Sequence, residues 1–195
     1  LTQSEMHEFN KKMAEAKKLR EHEEEINRTK ARSKASKIWE QSVKPPTDHP
    51  YLISKRVQSH GLKLSRGKLI VPLYDQNQVL QSLQFIGPDG EKRFLRGGLT
   101  KGCYFPIEGA LDKILYIAEG FATAATVHEV TGSAVAVAFY ANNLEPIAKA
   151  LREKFPNLEI VICADDDHQT KGNPGIRKAI EAATATRSKV VIPEF

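Results

Sequence analysis

The chain has 195 residues, 41% of them hydrophobic, and a formal net charge of +5, enough to bury a core as one domain or as a domain with an appended arm. No run of about 18 apolar residues occurs, which excludes a membrane-spanning helix, and the charged N-terminus lacks the apolar stretch of a secretory leader. Cys103 and Cys163 stand far apart and build no cysteine zinc site, so a reduced, cytoplasmic chain is expected, while the basic balance suits a nucleic-acid partner without requiring one.

Residues 1–44 are charge-rich and contain neither glycine nor proline, which predicts a helix. Met6, Phe9, Met13 and Ala16 fall at heptad-like spacing, but the stripe fades between His22 and Arg32. A solvated helical arm or linker is the plain reading, and a short coiled coil or nucleic-acid-binding arm the alternative. Ile38 and Trp39 are large enough to dock the end of the arm. Lys44-Pro45-Pro46 stops the helix, because proline lacks the backbone donor and restricts the residue before it.

Residues 45–109 predict a small, basic, mostly antiparallel β subdomain. A short helix is expected over 50–57, with turns at Gly61 and Gly67. The runs 69–75 and 79–86 form a hairpin about Gln76-Asn77, and the second alternates apolar with polar residues, as a strand with one wet face does. Gly87-Pro88-Asp89-Gly90 is a turn. Arg66, Lys68, Lys92, Arg93, Arg96 and Lys101 gather on this hairpin and its loops, as a phosphate-contacting face or as a solvated β surface. Phe94 and Tyr104 suit base stacking or core packing, with core packing the plainer expectation.

Residues 110–195 change texture. Strands at 113–118, 133–139, 158–164 and 188–193 alternate with helices at 120–131, 143–154 and 174–186. Asn142 is an expected N-cap, and Pro174 takes a permitted first-turn position. Near-continuous apolar strands between amphipathic helices predict an α/β fold, a parallel sheet with both faces covered.

Two of these strands end on acids. Glu119-Gly120 follows the first, and Asp165-Asp166-Asp167 follows Ile160–Ala164. Ligands of open α/β sheets collect beyond the carboxyl ends of the strands. If the two strands are neighbours, Glu119, Asp165 and Asp167 share one crevice, with Asp166 turned the other way by alternation. Such a carboxylate set suits Mg²⁺. The bland alternative is that the acids cap helices and keep loops soluble. Gly120 fits close backbone approach or a simple tight turn. Asn173-Pro174-Gly175 opens the last helix, whose N-terminus either meets a phosphate or merely starts the helix. His168, a lone loop histidine, stays outside the catalytic set.

Glu-Gly after one strand and Asp-x-Asp after a later one resembles the Toprim domain of primases, topoisomerases and related nucleases. The wording of Ala118–Thr126, Ala164–His168 and Gly172–Gly175 is similar to that of plasmid- and phage-type primases. Upstream, His49-Pro50-Tyr51-Leu52 and Arg66–Leu73 resemble the basic subdomain that precedes Toprim in primase cores, so the likeness spans about residues 38–195. It implies a Rossmannoid Toprim sheet over 110–195, preceded by the subdomain 45–109 and the arm 1–44. It implies metals, Mg²⁺ or Mn²⁺, on Glu119, Asp165 and Asp167, with Asp166 as helper. Arg66, Lys68, Lys92, Arg93, Arg96 and Lys101 then face template or triphosphate. The implied activity is RNA primer synthesis on single-stranded DNA from ribonucleoside triphosphates, with helicase or other domains of a larger replication protein as partners and no membrane. A Toprim nuclease or topoisomerase fragment and a non-catalytic nucleic-acid-binding module are the alternatives. The pattern departs from primase cores in lacking the zinc ribbon that usually precedes them, and no P-loop of a helicase occurs. The chain starts without methionine and stops at Glu194-Phe195, soon after the fourth strand, so a fragment of a larger replication protein is expected.

Overall fold

The computed structural model describes residues 2–165, 170 and 172–192. Helix α1 (Gln3–Gln41) opens the chain with a capping box between Thr2 and Glu5, which satisfies two of the otherwise orphaned backbone donors. Its 39 residues span roughly 58 Å at the α-helical rise. The first two-thirds stays exposed, held by surface pairs such as Glu8 with Lys12 at 2.8 Å. From Ala31 onward it docks. Ala31 and Ala35 are buried with Ile70, Leu83 and Leu95, and Ile38 and Trp39 pack against them. Lys63 Nζ lies 4.4 Å from the Trp39 ring centroid and donates to the Trp39 carbonyl at 2.9 Å. Small residues at this seam let the helix approach the sheet closely, and the two large ones seal its end.

After α2 (Pro50–Lys55), the strands β1 (Lys63–Ser65), β2 (Lys68–Tyr74), β3 (Leu80–Ile86) and β4 (Lys92–Phe94) form an antiparallel sheet in the order β1-β2-β3-β4. The hairpin expected about Gln76-Asn77 is present. Its second strand has no wet face, however: Gln81, Ser82 and Gln84 are all buried. Alternation places Leu83 and Phe85 toward α1 and Ile86 in the core shared with the second sheet, so both sides are covered. Gln81 is accommodated because Arg32 Nε donates to its Oε1 at 3.1 Å and its own Nε2 donates to Asp75 Oδ2 at 2.6 Å. A helix read as a solvated arm thus turned an apparently wet strand face into an interior one.

The second sheet runs β5-β7-β6-β8-β9, from β5 (Phe105–Ile107), β6 (Ile114–Ala118), β7 (Val135–Val137), β8 (Glu159–Cys163) and β9 (Lys189–Val191). Strands β6 to β9 are parallel, joined by α3 (Phe121–Thr131), α4 (Leu144–Lys154) and α5 (Pro174–Thr186). β5 adds an antiparallel edge beside β7, a place that tolerates its Pro106. Alternation divides the faces: Leu115, Ile117, Ile160 and Ile162 meet α4 and α5, whereas Ala118, Val135 and Val137 meet α3 and the first sheet. Each fully buried leucine or isoleucine contributes about 1.5–3 kcal/mol.

Cys103 and Cys163 are free and buried; burial pushes their thiols up, to about 12 and about 11. No helix among the described residues is long and apolar enough to cross a membrane.

Candidate active site

Strand β6 leaves the sheet at Ala118, passes Glu119, and turns into α3 at Gly120, the N-cap in extended conformation. Strands β6 and β8 are hydrogen-bonded neighbours with Ala118 opposite Cys163. Glu119 and Asp165 therefore leave adjacent strands at the same edge of the sheet. Thr123, in the first turn of α3, donates from Oγ1 to Asp165 Oδ1 at 3.3 Å, a link from the Glu119 side of the crevice to the aspartate. Asp166, Asp167 and His168 lie outside the described residues. Among the described residues no group of three or more His, Cys, Asp or Glu could hold a metal ion; Glu119 and Asp165 are the members of the expected carboxylate set that lie within them.

The exit of β7 is tied to the same edge. The Phe139 backbone N–H donates to the Glu119 carbonyl at 2.7 Å. Phe139 holds φ at 73°, a left-handed conformation that is costly for a bulky residue and is found where surrounding structure enforces it. Behind it, Asn143 is completely buried. Its Nδ2 donates to the Ala138 and Cys103 carbonyls at 2.8 and 2.9 Å, and its Oδ1 accepts from the Gly102 N–H at 2.7 Å. It does not cap α4 with its side chain, and Asn142, the expected cap, is exposed. The asparagine instead ties the loop before β5 to the end of β7.

One cation crosses from the first sheet. Lys92 of β4 places Nζ 3.6 Å from where a Cβ on Gly120 would stand. Lys92 is exposed on β4, yet desolvation near the second sheet lowers its pKa from the lysine value; Asp165 and Glu119 act to raise it and Lys55 to lower it further. Desolvation outweighs the two carboxylates, so a further anion beside it would favour its charged form.

Four of the other basic residues line one groove of about 530 Å³ between α1 and the antiparallel sheet: Arg66, Lys68, Arg93 and Arg96. Lys34 and Gln41 of α1 form its opposite wall. The guanidinium of Arg93 is engaged by Glu91 Oε1 at 2.6 and 2.9 Å. Lys101 is not part of the groove and sits exposed in the loop that Asn143 holds. Sequence reasoning passed over Lys34 and Thr123. Lys34 had a signal, since it falls inside the apolar stripe Ala31, Ala35, Ile38; Thr123 had only its place in the turn after Glu119-Gly120.

Tyr104 is buried, and its hydroxyl accepts from Gln78 Nε2 at 2.6 Å, so it packs as expected. A further cavity, about 680 Å³, lies at the opposite end of β8. There Arg152 donates to the carbonyls of Thr186, Leu158, Pro156 and Arg187, which fastens loops together.

Residues 114–194 match the Toprim domain model. Two Escherichia coli proteins named DNA primase TraC are similar: one is 42% identical over 168 residues, 80% of this chain and 16% of its own length. The other is 40% identical over 164 residues, 78% of this chain and 11% of its own length. The chain therefore spans less than one fifth of either relative. The fold is like that of the primase fragment of the bacteriophage T7 primase-helicase protein, with a TM-score of 0.53 and 18% identity, covering 74% of this chain and 64% of that one. With Glu119-Gly120 and the aspartates after β8 both inside the matched residues, residues 114–194 of this chain carry a Toprim domain.

Proposed function

We propose that this chain is the catalytic core of a DNA primase of plasmid or phage-type replication, a nucleotidyltransferase that makes RNA primers on single-stranded DNA. The observation that carries the reading is the direct parallel pairing of β6 with β8, with Glu119 and Asp165 at the same strand ends and Lys92 reaching them from the basic sheet. The similarity to proteins named DNA primase TraC supports the same reading.

Carboxylate oxygens are the donors that Mg²⁺ and Mn²⁺ take, so the donor set fits. Glu119 and Asp165 would hold the cation, together with Asp166 and Asp167 from beyond the described residues. When bound, it neutralises phosphate charge and orients the reacting oxygens. The chain's own groups do the rest. Thr123 holds the Asp165 carboxylate toward the crevice, and Lys92 presents its ammonium to the triphosphate. Arg66, Lys68, Arg93 and Arg96 hold the template backbone, which fixes where the growing 3′ end lies. Lys101, on its own loop, contacts the strand outside the groove. The 3′-hydroxyl oxygen forms a bond to the α-phosphorus of the next ribonucleotide, its proton passes to solvent, and the bond to pyrophosphate breaks. Helicase or further replication domains are the partners such a core works with.

The test incubates the chain with single-stranded DNA, labelled ribonucleotides and Mg²⁺ or Mn²⁺, beside Glu119→Gln and Asp165→Asn, with Mn²⁺ binding measured separately. Metal-dependent oligoribonucleotides that disappear in both variants, with weakened Mn²⁺ binding, support the proposal. Template cleavage would assign a Toprim nuclease instead. DNA binding with neither product nor Mn²⁺ binding would make this a non-catalytic module.

A further inference from the structure

Phe94 is the residue of β4 that neither the core nor the acidic edge accounts for. It remains 37% exposed, although it is a large apolar side chain on a strand that also carries Lys92 and Arg93. Its ring is not loose. It meets Phe139 edge to face at 6.0 Å and 70°, and Tyr140 at 6.2 Å and 82°, geometries that aromatic pairs favour. Phe139 is itself pinned by its backbone bond to Glu119, and the Tyr140 hydroxyl lies 3.4 Å from Thr100 Oγ1. The exposed ring thus stands on a fixed aromatic base at the strained exit of β7.

Its position is the second observation. Residues i and i+2 of a strand share a side, so Phe94 lies on the side of β4 from which Lys92 approaches Gly120. Phe94 also lines the basic groove with Arg66, Lys68, Arg96 and, from α1, Lys34. The ring itself lies on the face of β4 turned away from α1, since Phe94 pairs with Gln84 whereas Arg93 pairs with Phe85, which packs toward α1; the edge strand β4 thus stands between the groove and the acidic edge, with the ring at that border. Cations that follow a phosphate backbone, with an anchored aromatic among them, make up a single-strand site in which bases stack while phosphates are held.

We infer that Phe94 is a stacking platform for one unpaired base of single-stranded DNA, and that Lys34 of α1 contacts its backbone from the opposite wall of the groove. The inference rests on the groove assignment made above and adds the base contact and the part of α1. Stacking contributes affinity that depends on the base and little on salt, whereas Lys34 contributes a counterion-release component.

The experiment measures binding of a fluorescent oligothymidylate to the full chain at several salt concentrations, for wild type, Phe94→Ala, Phe94→Leu, Phe94→Trp and Lys34→Gln. A second oligonucleotide carries abasic positions. Phe94→Ala and Phe94→Leu should each weaken binding about tenfold with the salt slope unchanged. The leucine variant keeps an apolar side chain against Phe139 and should melt close to wild type. Abasic substitution should cost wild type about the same factor and cost Phe94→Ala nearly nothing, a coupling that a merely structural role would not produce. Phe94→Trp should bind as wild type does, with fluorescence quenched by DNA beyond any response of Trp39. Lys34→Gln should lower the salt slope by about one. Wild-type binding with Phe94→Ala within twofold, or without coupling to the abasic positions, overturns the platform and leaves the groove standing. No single-strand binding by wild type overturns both.

Discussion

Asn143 and Gly102 are joined by a 2.7 Å hydrogen bond, from the Gly102 N–H to Asn143 Oδ1, across 41 positions of the chain. With the bonds from Nδ2 to the Ala138 and Cys103 carbonyls, one buried side chain satisfies backbone groups from the loop before β5 and from the end of β7. Replacing Asn143 with alanine strands those groups away from water, and the expected loss of unfolding free energy is about 3 kcal/mol. Aspartate is no remedy, because three of the four partners, the Thr100, Cys103 and Ala138 carbonyls, are oxygens that need a donor. Urea denaturation of both variants checks this, and a midpoint unchanged in either would show that the network contributes little.

Gly109 and Gly120 both flank strand ends, yet the same substitution should treat them differently. A Cβ on Gly109 would stand 2.6 Å from the Ser133 carbonyl carbon and 2.7 Å from the Gly132 oxygen, main-chain atoms that cannot rotate aside. Gly109→Ala should cost about 1–3 kcal/mol. A Cβ on Gly120 meets nothing nearer than Lys92 Nζ at 3.6 Å, so Gly120→Ala should melt close to wild type. If the backbone there must approach a ligand, that stable variant will still lose Mn²⁺ affinity or primer synthesis. Full activity in Gly120→Ala would reduce the glycine to an ordinary tight turn.

The alternation of strands and helices after Gly109 was legible because each parallel strand is a short apolar run, and each helix buries one stripe. The shared edge of Glu119 and Asp165 followed from the same pattern. What remained hidden depends on contacts distant in sequence. Gln81, Ser82 and Gln84 look solvent-facing until α1 and the second sheet cover them. The edge strand Phe105–Ile107 has three residues with a proline at its centre, too short to reveal which sheet it joins. Asn143 falls in the expected helix 143–154, beside the expected cap Asn142, and only the folded loop at Thr100–Cys103 reveals its role.

A second seam between the two sheets' segments is polar and titratable. Glu129 of α3 accepts from the Gln58 N–H at 2.8 Å and meets His60 Nε2 at 2.5 Å. Partial burial acts to raise its pKa, but the bonds from Gln58 and His60 and the nearby His60 and His128 outweigh it, so the carboxyl sits below its ordinary 4.5. The unfolded chain then binds the proton more readily, and the stabilisation is present above about pH 4.5 and lost as pH falls through the lower folded value. Glu129→Gln should therefore be less stable than wild type near neutrality, by on the order of 1 kcal/mol for a pair this close to solvent. The gap should narrow on acidification below 4.5. Melting curves across pH check the sign, and a gap that does not narrow would remove this electrostatic account.

Lys92 offers the cleanest separation of folding from function. Burial disfavours its charge, and the carboxylates of Asp165 and Glu119 only partly offset that. Removing the ammonium in Lys92→Met keeps most of the aliphatic stem and should leave the melting temperature at or above wild type. Nucleotide affinity should fall about tenfold or more, as expected for losing a charge-assisted bond to phosphate of about 1.5–3 kcal/mol. Ribonucleotide binding by calorimetry, beside the melting curve, distinguishes the outcomes. A variant that melts earlier and binds nucleotide as well as wild type would make Lys92 a structural counter-ion for the two acids, with no part in holding phosphate.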